Sequence, residues 1–272
     1  MSIPLIKLND GKSIPQIGLG LWQVKDLAEF DSAFQSAVDT GYRHFDSAQF
    51  YQNEHMLGAA WKASGLPRDE FYLTTKIAVT HFGKHLTTSS FHKSLEKLKT
   101  DYVDLLLLHF PVTGMRKSSW LALEKLQAEG FIRSIGVSNY TIKHLEEMAA
   151  YASVVPAVNQ VELHVFLQQP ELVDYCRQKG IVVEAYSPLA HAKAMDNSTL
   201  AEIAQKHSKT YAQIMLRWLV EKGYVILPKS VTPARIQENF QVFDFSLDED
   251  DKAKIAALDK NMRTAWSPVH VP

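Results

Sequence analysis

The most constraining feature of this sequence is a regular alternation of short apolar runs with longer segments of helical period. Several of the short runs, such as 105–108 and 181–183, are apolar at every position rather than at every second position. Such runs are typical of strands in a parallel sheet, which is covered on both faces. The runs predicted as strands are Gly18–Leu21, His44–Asp46, Tyr72–Lys76, Val103–His109, Ile132–Val137, Ala157–Val161, Val182–Tyr186 and Val225–Leu227.

Each predicted strand is followed by a segment whose apolar residues recur with the period of an α-helix. These segments are Phe30–Asp39, Asn53–Ala63, Phe91–Leu98, Ser119–Glu129, Ile142–Tyr151, Pro170–Lys179, Thr199–Glu221, which we expect to form two helices, and Pro233–Val242. No linker rich in proline, glycine or serine interrupts the series. The series therefore predicts one domain over residues 1–272, a single (β/α)8 TIM barrel.

The segment ahead of the first predicted strand has the pattern of a β-hairpin. The short segments 5–8 and 14–17, each with one polar residue among apolar ones, flank an Asp-Gly turn. The structural alternative to a barrel is a doubly wound open sheet, which would bring a G-x-G-x-x-G turn after its first strand if it bound a dinucleotide. Gln23 stands where the third glycine of that turn belongs, and no helix is predicted to begin there. A nicotinamide cofactor must therefore be held in another way.

The composition excludes several classes of partner. Lysine and arginine number 29 and aspartate and glutamate 30, so the formal net charge is -1 and gives no general attraction for nucleic acid or an anionic membrane. Cys176 is the only cysteine, which excludes an internal disulfide and fits a reducing compartment. The sequence has no apolar run of the length of a signal peptide or a membrane span. We expect a cytoplasmic protein, and a monomer, since no distinct apolar surface segment stands out.

Polar residues follow the predicted strands at the point where a parallel barrel opens. The carboxyl ends of barrel strands converge on one mouth, where active sites lie. The residues at these ends are Trp22, Asp46, Lys76, His109, Ser138, Asn139, Gln160, Tyr186, Ser187, Lys229 and Ser230. Nearly all of them are polar or ionisable, and Tyr51 follows Asp46 by five residues, far enough to fold back over the mouth. The pattern predicts an active site at this end of the barrel.

Asp46, Tyr51, Lys76 and His109 form a coherent set for reducing a carbonyl group. A free tyrosine has a pKa of about 10 and is a poor proton donor at neutral pH. A nearby cation stabilises the phenolate, and Lys76 can be that cation if Asp46 offsets the cost of burying an ammonium. His109 can hydrogen-bond the carbonyl oxygen, which gains negative charge as the carbon accepts a hydride.

Longer motifs around these residues resemble those of the aldo-keto reductases. The first is Gly41-Tyr-Arg-His-Phe-Asp-Ser-Ala, followed at matched spacing by Glu54, Leu57 and Gly58. The later motifs are Thr74-Thr-Lys76, Leu108-His-Phe-Pro111, Gly136-Val-Ser-Asn139, Asn159-Gln-Val-Glu162, Tyr186-Ser-Pro-Leu189 and Leu227-Pro-Lys-Ser230 with Arg235, Glu238 and Asn239. The resemblance spans nearly the whole chain. It is closest to the bacterial branch that includes 2,5-diketogluconate and methylglyoxal reductases.

This resemblance implies a barrel closed at its base by the N-terminal hairpin and an enzyme that reduces aldehydes or ketones with NADPH. It implies Tyr51 as the general acid, Lys76 and Asp46 as the pair that tunes its pKa, and His109 as the residue that orients the substrate. The partner would be a small-molecule carbonyl compound.

The resemblance also implies where the cofactor is held. Ser138, Asn139 and Gln160 would hold the nicotinamide through its carboxamide, and Tyr186 would stack on the ring. Ser187 and Leu189 are further expected cofactor contacts. Lys229, Ser230 and Arg235 indicate NADPH, because a lysine, a hydroxyl and a guanidinium suit the compact dianion of a 2′-phosphate. Glu238 and Asn239 follow one helical turn later and could reach the adenine.

Three aromatic residues are the expected substrate contacts. Trp22 and Phe110 should line the substrate side of the nicotinamide, and Trp266 could close the lip of the pocket or pack on the barrel wall. Phe110 stands where many members of the family have tryptophan, Val165 replaces a common proline, and the loop 111–118 is short. These departures change pocket walls and leave the substrate open.

Two other functions are compatible with such a chain. A Schiff-base aldolase would form an imine on Lys76 or Lys229, and a non-catalytic relative would bind NADPH without turnover. No metal site is expected, because His81 and His85 are separated by Gly83 and have no evident third ligand. The acidic run 248–251 is expected at the beginning of a helix, where it complements the helix dipole.

Overall fold

The strands lie where the apolar runs predict them. In the computed structural model, residues 3–192 and 197–272 are described, and over these residues the chain forms ten strands and ten α-helices. Two short strands, β1 (Leu5–Lys7) and β2 (Ser13–Pro15), form an antiparallel hairpin. The remaining strands are β3 (Gly18–Gly20), β4 (His44–Asp46), β5 (Tyr72–Ile77), β6 (Val103–Leu108), β7 (Ile132–Ser138), β8 (Val158–Glu162), β9 (Val182–Tyr186) and β10 (Val225–Leu227).

Strands β3 to β10 form a closed parallel barrel. Each of them pairs with the next one along the chain. The ring closes between β10 and β3, where the Gly20 amide donates to the Pro228 carbonyl at 3.0 Å and the Ile226 amide donates to the Gln16 carbonyl at 2.9 Å. Ile17 forms a further parallel bridge with Ile226. The predicted (β/α)8 barrel is confirmed.

The helices alternate with the barrel strands, as predicted. They are α1 (Leu27–Thr40), α2 (Glu54–Ala63), α3 (Lys84–Leu98), α4 (Arg116–Ala128), α5 (Ile142–Ala149), α6 (Pro170–Gln178), α7 (Ser198–His207), α8 (Tyr211–Glu221), α9 (Pro233–Phe240) and α10 (Glu249–Ala256). The predicted break within 199–221 falls at Ser208, which has φ 51. Within the described residues no helix is both long and apolar enough to cross a bilayer.

Helix α3 begins seven residues before its predicted start, at 84 instead of 91. Its first half is rich in threonine and serine, which are weak helix formers and carry no apolar period. Two of the threonine hydroxyls donate hydrogen bonds to backbone carbonyls of preceding residues. Thr88 Oγ1 donates to the Lys84 carbonyl at 3.0 Å, and Thr87 Oγ1 donates to the His81 carbonyl at 3.1 Å. The predicted start was wrong because the first half of the helix has polar residues, Thr87 and Ser90, at its buried positions and therefore shows no apolar period.

The acidic run 248–251 begins helix α10, as expected. The Asp248 side chain accepts a hydrogen bond from the Asp251 amide and caps the helix. Lys206 Nζ lies 2.5 Å from Asp248 and 2.8 Å from Asp251, and His207 Nε2 lies 2.7 Å from Asp251. The Lys206 ammonium therefore pairs with two of the four carboxylates in the run.

The hairpin β1–β2 closes the amino-terminal end of the barrel. Leu8 and Ile14 of the hairpin region are buried in an inner core whose other members are Leu105, Leu107, Ala157, Val158 and Val225. Asn9 Nδ2 donates to the Pro156 carbonyl at 2.9 Å, so the loop of the hairpin is fixed to the start of β8. The open mouth is therefore the opposite end, where the strands terminate in polar residues.

Candidate active site

Lys76 lies at the centre of the polar cluster in the mouth. Its Nζ is 2.5 Å from Asp46 Oδ1, 3.0 Å from the Ser47 carbonyl oxygen and 3.1 Å from Tyr51 Oη. The side chain is fully buried. An ammonium carries three protons, so each of them has an acceptor in the protein. The structure thus brings Asp46, Tyr51 and Lys76 together as predicted.

The charges of this cluster follow from burial and from the ion pair. Burial lowers the pKa of Lys76, but the Asp46 carboxylate and the Tyr51 hydroxyl more than offset it, so the pKa lies above its usual value. Burial raises the pKa of Tyr51, and the Lys76 ammonium opposes that rise without cancelling it. The expected effect of the cation is therefore present, although burial outweighs it. At neutral pH the lysine is charged and the tyrosine holds its proton.

His109 follows β6 and faces Tyr51 across the mouth. The centroids of the two rings are 5.7 Å apart. Burial, with the Lys76 ammonium nearby, lowers the pKa of His109 to about 3. The imidazole is therefore neutral at physiological pH and offers one N–H donor.

Gln49 fixes the turn that carries Tyr51, and the sequence reasoning missed it. Its Oε1 accepts from the Ala78 amide at 2.9 Å and lies 2.8 Å from His81 Nδ1, while its Nε2 donates to Ser94 Oγ at 3.0 Å. These bonds connect the turn to the loop after β5 and to helix α3. His81 therefore serves as a hydrogen-bond partner in this network.

A second buried carboxylate, Glu184, lies below Asp46. Gln160 Nε2 donates to Asp46 Oδ2 at 2.9 Å and to Glu184 Oε2 at 2.6 Å. Burial and the nearby Asp46 charge raise the pKa of Glu184 to about 8. Sequence reasoning missed this residue, although a carboxylate inside the apolar run 182–186 is a usable signal. The two carboxyl groups hold the Gln160 amide nitrogen inward, which leaves its Oε1 as an acceptor.

The residues expected to hold the nicotinamide gather beside His109. Asn139 has φ 64 and donates from Nδ2 to Ser138 Oγ at 3.0 Å and to the His109 carbonyl at 3.2 Å. Ser138 Oγ donates to the Gln160 carbonyl at 3.0 Å. The Tyr186 hydroxyl donates to Asn139 Oδ1 at 2.8 Å, which fixes the half-buried tyrosine ring. These bonds join the ends of β7, β8 and β9 into one polar surface.

Basic residues lie just before helix α9 and in its first turn. Lys229 and Arg235 are exposed, and neither forms an ion pair with the described carboxylates. Ser230 is buried, and its Oγ accepts from the Thr232 amide at 3.1 Å. Two cations and the positive end of a helix dipole therefore lie close together in the chain.

The other residues expected at the cofactor are less uniform in their surroundings. Glu238 accepts a hydrogen bond from the Thr210 hydroxyl at 2.7 Å, and Asn239 is buried. Ser187 has φ 48 after β9, and Leu189 is half-buried. The Glu238 carboxylate therefore already accepts a hydrogen bond from within the protein, and a bound adenine would be an additional partner.

Aromatic rings cover the cluster from above. Trp22 meets Tyr51 edge-on at 4.9 Å between centroids and stacks on Phe50 at 5.6 Å. Trp266 meets Phe50 at 5.5 Å and Trp22 at 6.5 Å. We refer to Trp22, Phe50 and Trp266 as the aromatic group. Sequence reasoning missed Phe50, whose position next to Tyr51 was the available signal.

Phe110 differs from the other expected substrate contacts. It is half-buried, and within the described residues its ring forms no close pair with the aromatic group. Phe50 instead lies 6.3 Å from His109, edge-on. Phe50 therefore contributes a ring beside the histidine, and the expected contact of Phe110 with the substrate stays a prediction.

Known proteins resemble this chain over almost its whole length. The model of the Aldo/keto reductase family matches residues 16–260. A glyoxal reductase of Bacillus subtilis (strain 168) is 44% identical over 263 residues, which cover 97% of this chain and 95% of that protein. A methylglyoxal reductase of Yersinia pestis is 42% identical over 269 residues, covering 97% and 96%. The solved structure of a Bombyx mori aldo-keto reductase in complex with NADP has 32% identity and a TM-score of 0.91, covering 97% and 95%.

Proposed function

The chain belongs to the aldo/keto reductase family, and from that premise we propose that it reduces aldehydes or ketones to alcohols with NADPH. The resemblance inferred from the motifs, to the branch that includes methylglyoxal reductases, is confirmed by the relatives. The observation that carries the proposal is the buried Lys76 ammonium, 3.1 Å from the Tyr51 hydroxyl and paired with Asp46. This arrangement serves a phenol that loses and regains a proton.

The residues present fit NADPH. Ser138, Asn139 and Gln160 present hydrogen-bonding atoms next to His109, and Gln160 Oε1 can accept from an amide N–H. Lys229 and Arg235 are exposed cations without carboxylate partners among the described residues, and they suit a phosphate dianion. A structural neighbour, the Bombyx mori enzyme, was solved in complex with NADP. When bound, the cofactor supplies the hydride.

The chain's own residues supply and control the proton. Tyr51 donates from Oη to the carbonyl oxygen, so that C=O becomes CH–OH once the carbon has accepted the hydride. Lys76 stabilises the phenolate that remains, and Asp46 keeps Lys76 charged in the dry site. His109, which is neutral, donates a hydrogen bond to the same oxygen and orients it. The phenolate then recovers its proton from solvent.

The structure gives no support to an aldolase on Lys76. Imine formation requires a neutral amine as the nucleophile. The Lys76 amine is held as an ammonium by Asp46, and its three protons are all donated within the protein. Lys229 is exposed to solvent and is not enclosed in an apolar pocket of the kind that activates a lysine nucleophile. Reduction with borohydride in the presence of substrate and the absence of NADPH tests both lysines for an imine.

We propose small aldehydes and 2-oxoaldehydes as the first substrates to test. Two of the relatives are named as reductases of glyoxal and methylglyoxal. The aromatic group can exclude water from such a compound and pack against its carbon skeleton.

Three further predictions remain part of this proposal. They are a single domain over residues 1–272, a monomer and a cytoplasmic location. Light scattering and cell fractionation test the last two.

The decisive test is the substitution Tyr51→Phe, which keeps the ring and removes the transferable proton. We expect kcat with methylglyoxal to fall by at least about 10²-fold and the Kd for NADPH to stay within about threefold, as for loss of a general acid. Tyr72→Phe is the matched control, because the Tyr72 hydroxyl is buried without a hydrogen-bond partner among the described residues. Tyr51→Phe with near wild-type turnover would remove Tyr51 from the role.

A further inference from the structure

The C-terminal tail, residues 260–272, crosses the mouth of the barrel. It starts beside the end of β8, where the Lys260 amide donates to the Phe166 carbonyl at 3.1 Å. It then carries Trp266 to Phe50, which follows β4. In a ring of the strands β3 to β10, β4 and β8 are four places apart and therefore lie on opposite sides. The tail must pass over the opening to join them.

One buried carboxylate, Glu162, holds this tail at the β8 side. Its Oε1 accepts from the Thr264 amide at 2.6 Å and from Thr264 Oγ1 at 2.5 Å, and its Oε2 accepts from the Ala265 amide at 3.2 Å. His164 Nε2 lies 3.3 Å from Oε1. Because His164 Nδ1 accepts from the Phe166 amide, its proton is on Nε2, which donates to Glu162. We refer to these four hydrogen bonds as the tail clasp.

The tail clasp depends on the negative charge of the Glu162 carboxylate. Burial alone raises the pKa of Glu162, but the hydrogen bonds from His164, Thr264 and Ala265 lower it to about 2. A carboxyl group with a lowered pKa in the folded state contributes stability that is complete above its unfolded value. That contribution is lost as the pH falls through about 2. The carboxylate is therefore charged, and the clasp is closed, throughout the neutral range.

Trp266 owes its position to the clasp rather than to burial. Its side chain is 63% exposed, so little of it is removed from water by Phe50 and Trp22. The residue directly before it, Ala265, is fixed by Glu162. On the other side of Trp266 in the tail, His144 Nε2 lies 3.0 Å from the Val271 carbonyl oxygen. The segment that carries the tryptophan is thus tied to the barrel on both sides.

We propose that Glu162 is a positioning residue for substrate selection. By holding Thr264 and Ala265 it keeps Trp266 against Phe50 as the outer wall of the pocket. The wall favours carbonyl compounds that carry an aromatic substituent over those that carry a methyl group. This inference rests on the proposed function, because it takes the space below the aromatic group as the substrate pocket.

The first experiment measures the tail without any turnover. Trypsin cleaves after Lys260 and Arg263, both of which lie in the tail. In Glu162→Ala we expect mass spectrometry to show tail cleavage at least about tenfold faster than in the wild type, because hydrogen bonds to a charged group are lost. Thr264→Val removes only the hydroxyl donor and should give a smaller increase. It also serves as the test variant if Glu162→Ala does not fold.

The second experiment compares two substrates with the same reacting group. Phenylglyoxal and methylglyoxal are both 2-oxoaldehydes and differ only in the substituent that would meet Trp266. We expect the ratio of kcat/KM for phenylglyoxal to that for methylglyoxal to fall by at least about fivefold in Glu162→Ala. Trp266→Ala should lower the ratio similarly. The double variant should lower it little further, because both changes remove the same wall.

The outcomes separate this inference from the proposed function. Faster cleavage together with a lower ratio supports it. Cleavage at the wild-type rate would show that Glu162 does not hold the tail, and a freed tail with an unchanged ratio would show that Trp266 selects nothing. Either result overturns the inference. A wild-type protein that oxidises NADPH with neither compound would instead count against the proposed function, while the proteolysis result would still report on the clasp.

Discussion

The ion pair between Asp46 and Lys76 allows a test of whether the buried ammonium needs the Asp46 charge for the protein to be stable. Asp46→Asn keeps the shape of the side chain and removes its charge. Lys76 is fully buried, so the ammonium then lacks a counter-charge in a dry environment. Breaking a buried pair in this way costs about 3–5 kcal/mol. For a chain of this length that corresponds to a fall in Tm of about 6–10 °C.

The double variant Asp46→Asn with Lys76→Met distinguishes charge from packing. Methionine fills much of the lysine volume, and the asparagine oxygen can turn to accept from Gln160, which donates to Asp46 in the wild type. Because both charges are gone, we expect most of the lost stability to return, although activity should stay low without the cation beside Tyr51. Urea denaturation of the wild type, both single variants and the double variant gives the coupling free energy, expected at about 2 kcal/mol or more.

The pH dependence of the stability of Asp46→Asn provides an independent test. In the wild type the pKa of Lys76 is raised, so its contribution to stability is complete below the unfolded value of 10.5 and is lost only above it. In Asp46→Asn the Asp46 charge, which is the largest effect that opposes burial, is absent, and we expect the pKa of Lys76 to fall below that value. The variant should then gain stability as the pH rises toward 10.5. Stability losses that add within about 0.5 kcal/mol, with no difference in pH slope, would refute the argument.

Two further substitutions test the cofactor and substrate sides of the site. Arg235→Ala should weaken NADPH binding by about 1.5–3 kcal/mol and leave NADH binding nearly unchanged, because only NADPH has the phosphate; equal weakening of both, measured by fluorescence titration, would mean that Arg235 merely supports its loop. Trp22→Ala should raise KM for bulky carbonyl compounds and change their order of preference, with NADPH affinity within about threefold. An unchanged order together with a lowered Tm would make Trp22 a packing residue.

The sequence predicted those parts of the site that depend on strand ends. Parallel strands finish at one mouth, so locating the end of β4 and β5 was enough to bring Asp46 and Lys76 together. The bond between Gln160 and Asp46 joins residues 114 positions apart, and no local pattern announces it. The path of the tail is equally non-local. The tail clasp on Glu162 and the position of the Phe50 ring beside His109 could therefore not be read from the sequence.

The seam of the barrel has a consequence for how the chain is made. β3 can pair with β4 early, but its other edge stays open until β10 arrives more than 200 residues later, when Gln16 and Ile17 meet Ile226. An unpaired strand edge invites association with other chains, and contacts this distant in sequence form slowly. During synthesis the nascent sheet therefore has two unprotected edges through most of its length. β10, the last of these eight barrel strands in chain order, removes both edges in a single step.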